Sequence, residues 1–153
     1  MKLFPWKKEK TFFSAEEREQ LLEAIRKAEQ RTSGEVRLFV ESKCRFVDAT
    51  DRAKELFIKL EMDKTQDRNA TLIYVAVKDR QAAILGDVGI HEKVGEKYWK
   101  DVVAKMLLHF RKQKLADGLC MAISDLGEAL HFYFPYDRDT DKNELPDEIV
   151  FGR

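Results

Sequence analysis

Eight consecutive residues, Ala70-Thr71-Leu72-Ile73-Tyr74-Val75-Ala76-Val77, carry neither charge nor proline, and they lie between a polar loop and a charged turn. A run this short, rich in β-branched and aromatic side chains, reads as a strand. It does not alternate polar with apolar residues, so both of its faces need cover, and it predicts a central strand with helices above and below. Lys78-Asp79-Arg80 then turns the chain into Gln81-Ala82-Ala83-Ile84-Leu85, which ends at Gly86, predicting an antiparallel hairpin.

The segments before this hairpin supply a second strand and two helices. Ser14-Ala15-Glu16-Glu17 has the form of a capping box. Leu21, Leu22, Ile25 and Ala28 follow at helical spacing, which predicts an amphipathic helix to about Gln30, ended by Thr32-Ser33-Gly34. Glu35 to Glu41, with Val36, Leu38, Phe39 and Val40, predicts a strand. Asp48 to Glu61 returns to helical rhythm, with Ala53, Leu56, Phe57 and Leu60 on one face and Arg52, Lys54, Glu55 and Lys59 on the other.

Beyond the hairpin, a short turn is expected from Gly89 to Gly95. Tyr98, Trp99, Val102, Val103, Met106, Leu107 and Phe110 then form an apolar helical stripe. Gly118 opens a further helical pattern through Leu119, Ile123, Leu126 and Leu130, closing near Phe134-Pro135. The expected architecture is therefore an αβα sandwich, a mixed sheet of about three or four strands with helices on both faces. One domain is expected over residues 14–135, with an N-terminal extension at 1–13. An extended tail at 136–153 would be anchored by Ile149-Val150-Phe151.

Composition narrows the function. Lys+Arg and Asp+Glu both number 28, so the formal charge is zero, and no basic excess marks a nucleic-acid partner. The N-terminus lacks a signal-peptide core, and every apolar run is soon broken by charge, so no transmembrane segment and a cytoplasmic location are expected. Cys44 and Cys120 show no metal or disulfide spacing and read as reduced structural residues. His109 and His131 fall inside helical patterns and read as structural. Lys7, Lys8 and Lys10 beside Phe4, Trp6, Phe12 and Phe13 read as a tail docking its aromatics on the core.

Topology gives the sharper statement. A right-handed crossover makes the first two strands parallel, and the hairpin returns the third to their starting edge. Thr32, Ser33, Glu35, Asp67, Arg68, Asn69 and Asp87 then share one neighbourhood, with His91 and Glu92 close by. This is the edge opposite the carboxyl ends where α/β ligands usually sit. Carboxylate and amide oxygens on loops suit calcium or magnesium. The bland alternative is that Asp67 and Asn69 cap their loop and Asp87 makes an Asx turn.

Several segments together resemble the TPM-domain family: Thr32-Ser33-Gly34-Glu35-Val36, Asp67-Arg68-Asn69-Ala70-Thr71-Leu72, Gly86-Asp87-Val88-Gly89-Ile90-His91-Glu92, Asp117-Gly118-Leu119, Phe134-Pro135 and Asn143-Glu144-Leu145-Pro146-Asp147. The likeness is greatest to its short, signal-less bacterial branch. The resemblance implies an αβα sandwich that binds divalent cations, with Asp67 and Asp87 as ligands and Glu35 and Asn69 as companions. Two functions follow from it. One is a cation-binding module with an interaction or maintenance role toward an unidentified protein partner. The other is a metal-assisted phosphatase acting on phosphate monoesters, in which Arg68, Thr32, His91 and Glu92 would contact phosphate or substrate. One departure concerns the loop, because the family usually has Gly where this chain has Ala70, a difference that matters if the position needs positive φ.

Overall fold

A computed structural model describes residues 12–45, 48–136 and 149–152. Residues 1–11 of the expected extension at 1–13, and residues 137–148 of the expected tail at 136–153 with the Asn143–Asp147 motif, lie outside the described residues. The elements run α1 (Ala15–Glu29), β1 (Glu35–Glu41), α2 (Ala49–Lys59), β2 (Ala70–Ala76), β3 (Gln81–Gly86), α3 (Val88–Val94), α4 (Glu96–Arg111), α5 (Leu115–Tyr133) and β4 (Ile149–Phe151). The sheet order is β3-β2-β1-β4. β1 is parallel to β2 and to β4, and β2 and β3 form the antiparallel hairpin.

Every residue of β1 and of β2 is buried, as the unbroken apolar run of β2 demands. Val36, Leu38, Val40, Ile73 and Val75 face a core shared with α1, α4 and α5. Phe39, Leu72, Tyr74 and Ala76 point the other way, into a smaller core closed by Ala53, Leu56 and Phe57 of α2. The alternation along each strand therefore divides one sheet between two helical layers. The apolar tip of the tail is the edge strand β4, in which Ile149, Val150 and Phe151 stand opposite Leu38, Phe39 and Val40.

Local chemistry explains the helix starts. The Glu17 amide donates to Ser14 Oγ at 3.0 Å, and the Ser14 amide donates to Glu17 Oε1 at 2.9 Å, completing the capping box. Asp48 Oδ1 accepts from the Thr50 amide at 2.9 Å and caps α2. Two boundaries differ from the sequence reading. Val88–Val94 is a helix, not a turn: Asp87 caps it, and Ile90 anchors it at 1% exposure. Helix α5 begins at Leu115, not Gly118. Gly118 lies inside its first turns, where a Cβ would come within 2.8 Å of His109 Cβ, so its bareness lets α4 approach.

Candidate functional site

The expected convergence is present. Glu35 stands opposite Ala70, and Thr71 stands opposite Gly86, so the starts of β1 and β2 and the end of β3 share one edge. The Asp87 amide donates to Ala70 O at 2.9 Å, which carries the hairpin register one residue further.

Asp87 is the centre of this edge. Its side chain is 5% exposed, yet it carries a carboxylate. Arg68 grips it with two bonds, Nε to Oδ2 at 2.6 Å and Nη2 to Oδ1 at 2.8 Å. The Val88 amide adds a third donor to Oδ1 at 2.8 Å. Such a fork is the strong form of a charge-assisted pair. The Asp87 bonds are the chief reason that the Arg68 pKa stands above its usual value. The two partners differ in access, since the Arg68 side chain is 46% exposed.

The backbone reaches this geometry at some cost. Arg68 adopts φ 50°, the left-handed region that non-glycine residues seldom occupy. Gly89 lets the loop dock on α3, for its amide donates to Arg68 O at 2.8 Å. A Cβ at Gly89 would stand only 2.2 Å from Asp67 O. The positive-φ position of this loop is therefore Arg68, and Ala70 is a buried strand residue whose side chain meets no such conflict.

The other expected residues fall into distinct roles. Asn69 is 1% exposed; its Nδ2 donates to Ser33 Oγ at 3.2 Å, while its Oδ1 is buried without a hydrogen-bond partner. Glu35 is buried at 3% exposure, whereas Asp67 and Glu92 are exposed. The Thr32 hydroxyl ties β1 to the end of α5, close to both Leu130 O and Phe134 O, and accepts from the Gly34 amide at 3.0 Å. His91 Nδ1 accepts from Trp99 Nε1 at 2.9 Å, with the two rings stacked, so its other nitrogen carries the proton of the neutral ring. Among the described residues, no group of three or more His, Cys, Asp or Glu side chains is gathered for a metal ion.

A second polar cluster lies at the opposite edge and was not foreseen. Glu41 ends β1 with its side chain 5% exposed. Arg52 Nε donates to Glu41 Oε2 at 2.9 Å and Nη2 donates to Oε1 at 3.0 Å; Arg52 also pairs with Glu55. The Tyr74 hydroxyl donates to Glu41 Oε2. Burial first, then the Glu41 bond, raises the Tyr74 pKa far above the usual tyrosine value. Arg52, placed by periodicity on the solvent face of α2, is thus turned inward over the sheet end.

Comparison with known proteins places the chain in a family and beside a solved structure. The model of the TPM domain matches residues 7–129. The NMR structure of the BA42 protein from the psychrophilic bacterium Bizionia argentinensis superposes with a TM-score of 0.84 at 40% identity, covering 92% of this chain and 96% of that one. No curated protein matches.

Proposed function

Because the chain belongs to the TPM-domain family, we propose that it is a divalent-cation-binding module in which the ion competes with Arg68 for the Asp87 carboxylate, and that the ion-loaded edge serves an interaction or maintenance role. The observation that carries this reading is the imbalance at Asp87. A buried carboxylate is neutralised by a guanidinium that is itself half in solvent and able to swing away. The site is already built for positive charge, and a tethered cation holds it. A calcium or magnesium ion would meet Asp87, with the unpartnered Asn69 Oδ1 and the carboxylates of Glu35 and Asp67 as further oxygens in the neighbourhood. Competition with a tethered arginine keeps the affinity modest, as suits a site that responds to ion concentration.

The phosphate-monoester reading has less support. Thr32 is committed to backbone bonds and His91 Nδ1 to Trp99, so neither is poised as a base at this edge. No helix of the described residues is long and apolar enough to cross a membrane.

The test is thermal unfolding of metal-stripped protein titrated with calcium and magnesium. An ion at about a hundredfold excess over its Kd stabilises by roughly 2.7 kcal/mol. Arg68→Ala should lower stability without ion, because Asp87 loses its main partner, and should enlarge the ion-dependent gain. Asp87→Asn should abolish that gain. A wild-type transition that neither ion moves, with Arg68→Ala equally unresponsive, would sink the proposal.

A further inference from the structure

The two edges of the sheet are finished differently. At the β1–β4 edge the Val36 amide is taken by Glu29 Oε2 at 2.7 Å, β4 covers Leu38 to Val40, and Phe12 stacks on Phe151 with ring centroids 6.3 Å apart. At the other edge stands β3, Gln81–Gly86, with no charge, proline or bulge and a regular ladder to β2. The Asp87 amide faces β2, so by alternation Leu85, Ala83 and Gln81 face β2 as well. The backbone N–H and C=O groups of Ala82, Ile84 and Gly86 then point outward, and among the described residues they meet no neighbouring strand. A bare apolar edge of this kind is a template for another strand.

We propose that the β3 edge is an interface for a second copy of this chain, joined β3 to β3 in antiparallel fashion into a continuous sheet. The sequence of the edge favours this occupant. Centring the two-fold axis on Ile84 sets Ile84 opposite its own copy and Ala82 opposite Gly86, so all three outward residues pair and make about six hydrogen bonds. Gln81–Gly86 carries no charged side chain, so no like charges stand opposite one another in that register. Apolar side chains are also in place beside the edge. Ile58, on the helix packed over β3, is 63% exposed, and Val88, two residues past the strand, is 52% exposed.

Sedimentation equilibrium of the full chain from micromolar to millimolar concentration tests this, beside Ala82→Pro. That substitution removes an outward N–H and spares the bonds to β2, since proline is tolerated on the free side of an edge strand. The expected result is a mass rising from one chain to two in the wild type and constant at one chain in the variant. Amide exchange at Ala82, Ile84 and Gly86 should slow as the dimer forms, and this measurement on the wild type decides the matter if the variant misfolds. A wild type that stays a single chain throughout overturns the proposal and leaves the edge to a strand of another protein. A dimer that Ala82→Pro retains, or one whose protection appears elsewhere, overturns it too.

Discussion

Replacing Arg52 with alanine should destabilise the protein more than any change on the outer face of α2. Glu41 would keep its carboxylate at 5% exposure with the Tyr74 hydroxyl but without either guanidinium bond. Breaking a buried pair by removing one partner typically costs about 3–5 kcal/mol, because the remaining charge is left unpaired. Arg52 is itself 15% exposed, so water can reach the vacated space, which sets the expectation at the lower end. The guanidinium also sits 5.6 Å from the centre of the Phe39 ring, a contact worth about 0.5–1 kcal/mol. The sum is roughly 3–4 kcal/mol, and at about 2–4 °C per kcal/mol for a chain of this size the Tm should fall by about 10 °C. Thermal and urea unfolding at neutral pH would measure it. The companion is the double variant Glu41→Leu/Arg52→Met, which removes both charges and should recover most of the loss. If the double variant is as unstable as Arg52→Ala, the cost lies in packing and not in the unpaired charge, and the reasoning fails.

Gly89→Ala should lower stability by about 2–3 kcal/mol, because its Cβ would press on Asp67 O and force the loop off α3; a Tm within error of the wild type would refute this close approach. Burial raises the pKa of Tyr74 and pushes that of Tyr98 up to about 12. A group whose folded pKa is raised contributes stability that is complete below the unfolded value, about 10 for tyrosine, and is lost as the pH climbs toward the folded value. Unfolding followed across this alkaline window should show that decline, and Tyr74→Phe should reduce its slope.

Much of this was legible because the signals were local. The capping box needs only Ser14 and Glu17, and the two-faced strand announces itself through uninterrupted apolar residues from Ala70 to Val77. The convergence of Glu35, Asn69 and Asp87 followed from strand direction alone. Helix α3 was not legible, because seven residues between Asp87 and Gly95 are too few to show a period, and the helix is held by a cap and by the single buried side chain of Ile90. The start of α5 was misplaced because Gly118 looks like a boundary, although its role is to let another helix come close. Arg68 and Arg52 show the deeper limit. Periodicity and charge suggest that a basic residue faces solvent or a phosphate, but the acid that claims it lies far away in sequence, at Asp87 in one case and at Glu41 in the other.

Strand β1 carries hydrogen bonds of two kinds along its own length. Glu35, Arg37, Phe39 and Glu41 turn their amides toward β2, in a ladder of seven paired residues whose strands are joined by α2. Leu38 and Val40 turn theirs toward β4, three residues that come from the far end of the chain. That second contact joins segments far apart in sequence through little backbone bonding, so β4 should open more readily than β2. Neighbouring amides of one strand, all equally buried, therefore exchange with solvent through openings of different free energy.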